Sequence, residues 1–241
     1  LIKLVRDPTE IISRAVQPVL WLVVFGQVLA QVRGIHTGQL SYLAFITPGI
    51  LAQSVLFSAI FYGIAVIWER DLGVVHKLLV SPARRTSLVF GKAVAAGFRG
   101  ILQAVVIYLI AFAMHVSLRL EPLAIFAVLA GVMLGSGIFA TFSLIIACIV
   151  KTRERFMGIG QLLTMPMFFA SNAIYPLDIM PGWLRVVAQI NPLTYLIDAL
   201  RGLMITGGES VHGYAVDFSV MLAVFVVLLS IAVRLYPTLA E

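Results

Sequence analysis

The sequence contains few charged residues and a single cysteine. Only 12% of its 241 residues are Asp, Glu, Lys or Arg, about half the share found in soluble domains. Cys148 stands alone, which excludes an intrachain disulfide. The chain also lacks a phosphate-binding loop, because Gly91-Lys92 has no glycine five residues earlier and is followed by Ala93 instead of Ser or Thr. We therefore do not expect this chain to hydrolyse ATP by itself.

Patterns typical of catalytic or metal sites are missing as well. The four histidines, at positions 36, 76, 115 and 212, are far apart in the sequence, and their spacing is not that of metal ligands. We expect each to be a solvated residue at a membrane edge. No serine lies in a nucleophile motif, and no close acid pair is expected inside a span. Arg99 is the one strong candidate for an ionisable group within the membrane, which argues against an ion-coupled carrier. The sequence predicts no catalytic residue, metal or cofactor in this chain.

Apolar residues, by contrast, make up 61% of the chain, and the mean hydropathy is +1.05. Six windows are long and apolar enough to cross a bilayer, at residues 15–33, 43–67, 94–116, 122–150, 156–176 and 216–236. With both termini in the cytoplasm, the inner segments contain about three times as many Lys and Arg residues as the outer ones. We predict one all-α integral membrane domain over residues 1–241, in the plasma membrane. The net charge of +6 then faces the inner membrane surface and does not indicate nucleic-acid binding.

Three further segments are too short or too polar to span. Residues 1–14 have the pattern of an amphipathic helix lying in the membrane interface. The inner loop 68–93 contains a short amphipathic helix that Pro82 should end. It could dock a soluble partner or simply lie against lipid headgroups. In segment 177–206, two short helices broken at Asn191-Pro192 suggest an external hairpin that packs on the bundle.

Neutral polar and aromatic side chains occur on the second and fifth predicted spans, and Gln27 and Gln31 lie on the first. Such a mixture suits a substrate with an apolar body and a few polar groups, although hydrogen bonding between helices would explain it too. The candidate residues of a substrate pathway are Gln53, Phe57, Phe61, Tyr62, Gln161, Met165, Phe168 and Asn172. Gly131 and Gly135 form a small-xxx-small pair that favours close contact between helices.

Several short strings occur in an order that resembles the membrane subunit of ABC type-2 exporters. The resemblance is to the group of daunorubicin-resistance and nodulation-factor export permeases, and it covers essentially the whole chain. The strings are Arg6-Asp7-Pro8, Gln17-Pro18, Phe25-Gly26, Glu69-Arg70-Asp71-Leu72-Gly73, Lys77-Leu78-Leu79-Val80-Ser81-Pro82, Tyr175-Pro176, Met180-Pro181 and Asn191-Pro192-Leu193-Thr194-Tyr195.

The resemblance implies a complex of two such permeases, identical or related, with two cytoplasmic ATPase subunits that bind ATP and Mg²⁺. Residues 1–14 would be the elbow helix, 68–93 the coupling loop and 177–206 the external re-entrant helices. Contact with the ATPase would involve Glu69, Arg70, Asp71, Leu72, Val75, Lys77, Leu78 and Leu79.

The expected function is ATP-driven export of a hydrophobic or amphiphilic molecule, such as a drug, a lipid or a lipid-linked glycan. An ion-coupled secondary transporter, a membrane scaffold and a lipid-modifying enzyme are the alternatives. Only the exporter would require a separate ATPase.

Overall fold

A computed structural model describes residues 16–30, 40–81, 84–150 and 152–240, and this part of the chain is built from helices without a β-strand. The elbow helix predicted at 1–14 lies outside the described residues, as do His36, Pro82 and Lys151. The helices are α1 Val16–Leu29, α2 Tyr42–Asp71, α3 Val74–Val80, α4 Arg85–Ala113, α5 Pro122–Ile149, α6 Arg153–Phe169, α7 Gly182–Ile190, α8 Pro192–Met204 and α9 Tyr214–Leu235.

Four helices are long and apolar enough to cross a membrane, namely α2, α4, α5 and α9. They confirm four of the six predicted spans. In the first window, the described residues form α1, which contains a π-helical turn at Trp21–Phe25. In the fifth window, α6 has 17 residues and stops at Phe169, seven residues before the predicted end. A count of six spans therefore stays a prediction.

The early end of α6 is stabilised by a side chain from another part of the chain. The helix contains Pro166 and continues through it to Phe169. The carbonyls freed at this end are bound by the Asn191 side chain, whose Nδ2 donates to the oxygens of Met167 at 2.6 Å and Ala170 at 3.1 Å. The Oδ1 of Asn191 also accepts from Leu193 N at 3.0 Å and so caps α8. One side chain therefore fixes the junction of α6, α7 and α8.

The central helix of the bundle is α5, which packs against α2, α4, α8 and α9. Close approach depends on its small residues. A Cβ placed on Gly135 would lie 2.6 Å from Leu196 of α8, and one on Gly137 would lie 3.1 Å from Phe225 of α9. On the α2 side, the Oγ of Ser143 accepts from Gly63 N at 3.0 Å. The prediction that Gly135 allows close helix contact is confirmed.

The bundle has two distinct ends. At one end, α2 turns into α3 through Gly73, whose φ of +70° favours glycine. We call this the α3 end. The opposite end carries α7 and α8. Of these, α8 packs on the bundle beside the start of α2, where Arg201 donates to Phe45 O at 3.4 Å.

Arg201 of α8 is buried, and only 5% of it is exposed. Its NH2 group donates to Asn172 O at 2.6 Å, and its guanidinium stacks 3.9 Å from the centre of the Phe45 ring. Arginine can be buried in this way because carbonyl oxygens and an aromatic face replace the water that would otherwise hydrate its guanidinium.

Candidate functional site

A cavity of about 310 Å³ opens between α1, α2 and α4, a size within the range of small-molecule sites. Its lining combines aromatic rings with amide and hydroxyl groups. The lining residues are Gln17, Pro18, Gln53, Ser54, Phe57, Ser58, Phe61 and Gln103. The helical spacing of residues 53, 57 and 61 places them on one face of α2.

Two amides of the cavity are buried without hydrogen-bond partners. Gln53 of α2 is 2% exposed and Gln103 of α4 is 8% exposed. The Nε2 of Gln53 has no acceptor, and the Oε1 of Gln103 has no donor, among the described residues. Ser54 differs, since its Oγ donates to Ile50 O within the same helix at 2.8 Å. The wall of the cavity therefore contains one buried donor and one buried acceptor without partners.

Aromatic rings supply the apolar part of the cavity. Phe57 and Phe61 lie with ring centroids 6.3 Å apart, and Phe61 is 40% exposed. An aromatic pair beside unpaired amides matches the needs of a molecule with both an apolar and a polar part.

The remaining candidate residues of the substrate pathway do not line this cavity. Tyr62 faces α4, where the Arg99 guanidinium lies 4.7 Å from its ring centre. Phe168 is fully buried, with its ring 5.7 Å from that of Trp21. Asn172 is buried too, in the turn after α6. Gln161 and Met165 lie on α6, which contributes no residue to the cavity lining.

The second candidate surface is α3. Val75 is fully buried in a cluster with Ile67 of α2, Val89 of α4 and Phe156 of α6. This contact fastens the short helix to the bundle. The other face is open, with Leu72 70% exposed, Val80 88% exposed and the Lys77 side chain exposed. Leu78 and Leu79 are half-buried.

Ion pairs hold the helix ends around α3 together. Glu69 of α2 pairs with Lys92 of α4. Asp71 lies between Arg70, at 3.0 Å, and Arg153 of α6, at 2.6 Å. From the sequence, Glu69, Arg70 and Asp71 were expected to contact the ATPase. In the structure, Glu69 pairs with α4 and Asp71 with α6, whereas Arg70 pairs with Asp71 of its own helix.

Sequence reasoning missed a cluster of buried charged groups at the opposite end of the bundle. Asp198 of α8 and Asp217 of α9 are each fully buried. The Nδ1 of His212 lies 2.9 Å from Asp198 Oδ2 and 4.0 Å from Asp217 Oδ1. His212 was expected to be solvated, but its side chain is only 23% exposed and pairs with Asp198. Asp198 lies on α8, outside the predicted spans, so the pair does not bear on the expectation of no close acid pair inside a span. The available signal was that Asp198 stands among Ile197, Ala199 and Leu200 on a helix without other acids.

The sequence is similar to known transport permeases. Residues 1–205 match the family described as ABC-2 type transporter. The chain is 31% identical over 212 residues to the transport permease ycf38 of Cyanophora paradoxa, which covers 84% of this chain and 70% of the relative. It is 25% identical over 198 residues to nodulation protein J of Rhizobium leguminosarum bv. trifolii, covering 81% and 74%. It is 26% identical over 205 residues to the daunorubicin resistance ABC transporter permease protein DrrB1 of Streptomyces coeruleorubidus, covering 82% and 69%.

Proposed function

Because the chain belongs to the ABC-2 type transporter family, we propose that it is the membrane subunit of an exporter for amphiphilic molecules, driven by a separate ATPase. The cavity between α1, α2 and α4 is the observation that supports an amphiphilic substrate. Its two phenylalanines would contact the apolar body of the substrate. The unpaired Gln53 donor and Gln103 acceptor would bind a polar group, such as an amide, a hydroxyl or a carbonyl next to an amine.

The relatives support this class of substrate without fixing the compound. One is named for daunorubicin resistance and another for nodulation. The described lining of the cavity contains no charged side chain, so an ionised group would have to leave water without a counter-charge. We therefore expect neutral amphiphiles, or the neutral part of a larger amphiphile, to bind best.

The α3 end is the proposed docking surface for the ATPase. Its exposed apolar side chains, Leu72 and Val80, flank the exposed Lys77. Such a patch combines apolar contact area with a charge that can select a partner. Glu69 and Asp71 are already paired within the chain. They would therefore stabilise the position of this surface and would not contact the ATPase themselves.

The α3 end would face the cytoplasm, where ATP is available, with both termini on the same side. The ATPase would bind ATP and Mg²⁺, two ATPase subunits would serve two permeases, and six spans would form each permease. The second permease would be a copy of this chain or a relative. This chain would bind the substrate and transmit the movement of α3 to the membrane helices.

The test is co-purification of the ATPase from native membranes with the full-length tagged chain in mild detergent. We expect a soluble ATPase in stoichiometric amount, lost in Leu72→Ser. Val211→Ser is the matched control, because Val211 is 72% exposed, close to the 70% of Leu72, but lies in the loop before α9.

Retention of the ATPase by Leu72→Ser would contradict the docking surface while leaving the exporter assignment intact. A chain that purifies without any ATPase, and transports only along an ion gradient in vesicles, would instead contradict the exporter itself. Both variants must reach the membrane in wild-type amounts, which immunoblotting of membrane fractions measures.

A further inference from the structure

The end of the bundle opposite α3 contains three side chains that could share one ion. Asp198 and Asp217 are completely buried, and the side chain of His212 is 23% exposed. One ligand atom from each of the three lies within 4.8 Å of the other two. They come from three consecutive parts of the fold, which are α8, the loop after it and the first turn of α9. An ion held here would join these parts.

The hydrogen bonds of the two carboxylates are incomplete. Asp198 Oδ2 accepts from His212 N at 3.0 Å, and Asp217 Oδ2 accepts from Ser210 Oγ at 2.7 Å. The second oxygen of each group, Oδ1, is buried and has no donor among the described residues. A buried carboxylate oxygen without a partner is strongly destabilising. Among the described residues, Asp198 Oδ1 has no cationic nitrogen within ion-pair distance, and Asp217 Oδ1 has only the Nδ1 of His212, at 4.0 Å.

Arg201 does not fill this role, although it is buried on the same helix as Asp198. Its guanidinium nitrogens donate to the carbonyl oxygens of Asn172 and Phe45. Among the described residues, no ion pair links it to Asp198 or Asp217. The single imidazole of His212 faces two carboxylates, and Arg201 acts on Asp198 only through space, without a hydrogen bond.

The donor set selects the kind of cation. One imidazole nitrogen and two carboxylates are ligands that Zn²⁺ accepts, with bonds of about 2.0–2.2 Å. Around a tetrahedral ion with such bonds, ligand atoms lie roughly 3.4 Å apart. The Nδ1 of His212 lies 2.9 Å from Asp198 Oδ2 and 4.0 Å from Asp217 Oδ1, and these distances are on either side of this value. Mg²⁺ and Ca²⁺ prefer six or more oxygens, which fits a site with an imidazole less well.

We propose that Asp198, His212 and Asp217 bind one zinc-like divalent cation that fastens α8 to α9. The ion would enter from the His212 side, which is the part of the cluster open to the surface. It would offset the negative charge of the two carboxylates and give Asp217 Oδ1 a partner. Because α8 also holds the start of α2 through Arg201, the ion would stabilise this whole end of the bundle.

The experiment uses the full-length chain in detergent, purified through a tag free of histidine and stripped with EDTA. Zinc is titrated by calorimetry, and the melting temperature is followed with Zn²⁺, with Mg²⁺ and without metal. We expect one Zn²⁺ per chain and a higher melting temperature with Zn²⁺ only. His212→Ala should weaken zinc binding at least about tenfold, and His212→Cys should restore it, since a thiolate is also a zinc ligand. His115→Ala, in the exposed loop after α4, is the matched control and should bind like the wild type.

Two results would overturn the proposal, and neither depends on how well a variant folds. One is a wild-type chain that shows no saturable zinc binding and no zinc-dependent change in melting temperature. The other is zinc binding that is equally tight in His212→Ala and the wild type, which would place the ion elsewhere. Restoration by His212→Cys supports ligation, because a purely structural histidine would not be replaced by a thiol in a zinc-dependent way.

Discussion

Replacing Gln53 by leucine should make the protein more stable and a poorer transporter at the same time. The side chain is 2% exposed, and its Nε2 has no acceptor among the described residues. A buried polar group without a partner costs about 1–3 kcal/mol. Leucine has a similar size, so it removes this cost without leaving a large cavity. The melting temperature of Gln53→Leu in detergent should therefore rise.

Transport should change in the opposite direction. If the substrate accepts a hydrogen bond from Gln53, its removal should weaken binding by about 1–2 kcal/mol, which corresponds to roughly a 5- to 30-fold rise in Kd. The assay is ATP-dependent uptake of a fluorescent amphiphile into inverted vesicles that contain the permease and its ATPase. Substrates with a carbonyl or hydroxyl group should be affected more than analogues from which this group has been removed.

Ser54→Ala is the matched control for this prediction. Ser54 lines the same cavity, but its hydroxyl already donates to a carbonyl of its own helix. Its removal should change neither stability nor transport by a large factor. Two results would refute the role of the unpaired amide. One is a Gln53→Leu variant that is less stable than the wild type. The other is a variant that transports amphiphiles with and without the carbonyl or hydroxyl group equally well.

Three further changes test the fold and the proposed docking surface. Gly135→Val should destabilise the bundle by about 1–3 kcal/mol through overpacking against Leu196, whereas Gly158→Ala, with open space around it, should leave the melting temperature nearly unchanged. Asn191→Ala should cost about 1–2 kcal/mol, since it removes a helix cap together with two bonds to carbonyls of α6, and a melting temperature equal to that of the wild type would contradict this. Val75→Asp should release α3 from the bundle because an unpaired carboxylate cannot stay buried there; normal membrane insertion with lost ATPase co-purification is expected, and unchanged co-purification would count against α3 as the docking element.

The long apolar helices could be predicted from the sequence, and so could the short ones. Length and hydropathy identify α2, α4, α5 and α9 because lipid requires a continuous apolar run. Pro192 after Asn191 marks the break between α7 and α8, because this pair is typical of a helix start. The end of α6 at Phe169 was harder to predict, since it depends on a side chain more than twenty residues away that binds its last carbonyls.

The candidate site could be predicted only in part, for a related reason. Gln53, Phe57 and Phe61 share one face of one helix, so their spacing alone brings them together. Gln103 completes the cavity from α4, and nothing in its own neighbourhood in the sequence indicates this. Asp217 likewise lies nineteen residues after Asp198, and only the packing of α9 against α8 makes them neighbours.

One helix connects the cavity proposed to bind the substrate with the α3 end proposed to dock the ATPase. The same uninterrupted α2 lines the cavity at Gln53 and reaches the α3 end at Asp71. At that end, Glu69 and Asp71 pair with α4 and α6, so that a push on α3 would be shared by three helices. Since α4 also supplies Gln103 to the cavity, two of the three cavity walls continue into the ion-paired end. A rigid-body shift of α2 against α4 would therefore alter the distance between the two unpaired amides, which is the change that binding and release of a polar group require.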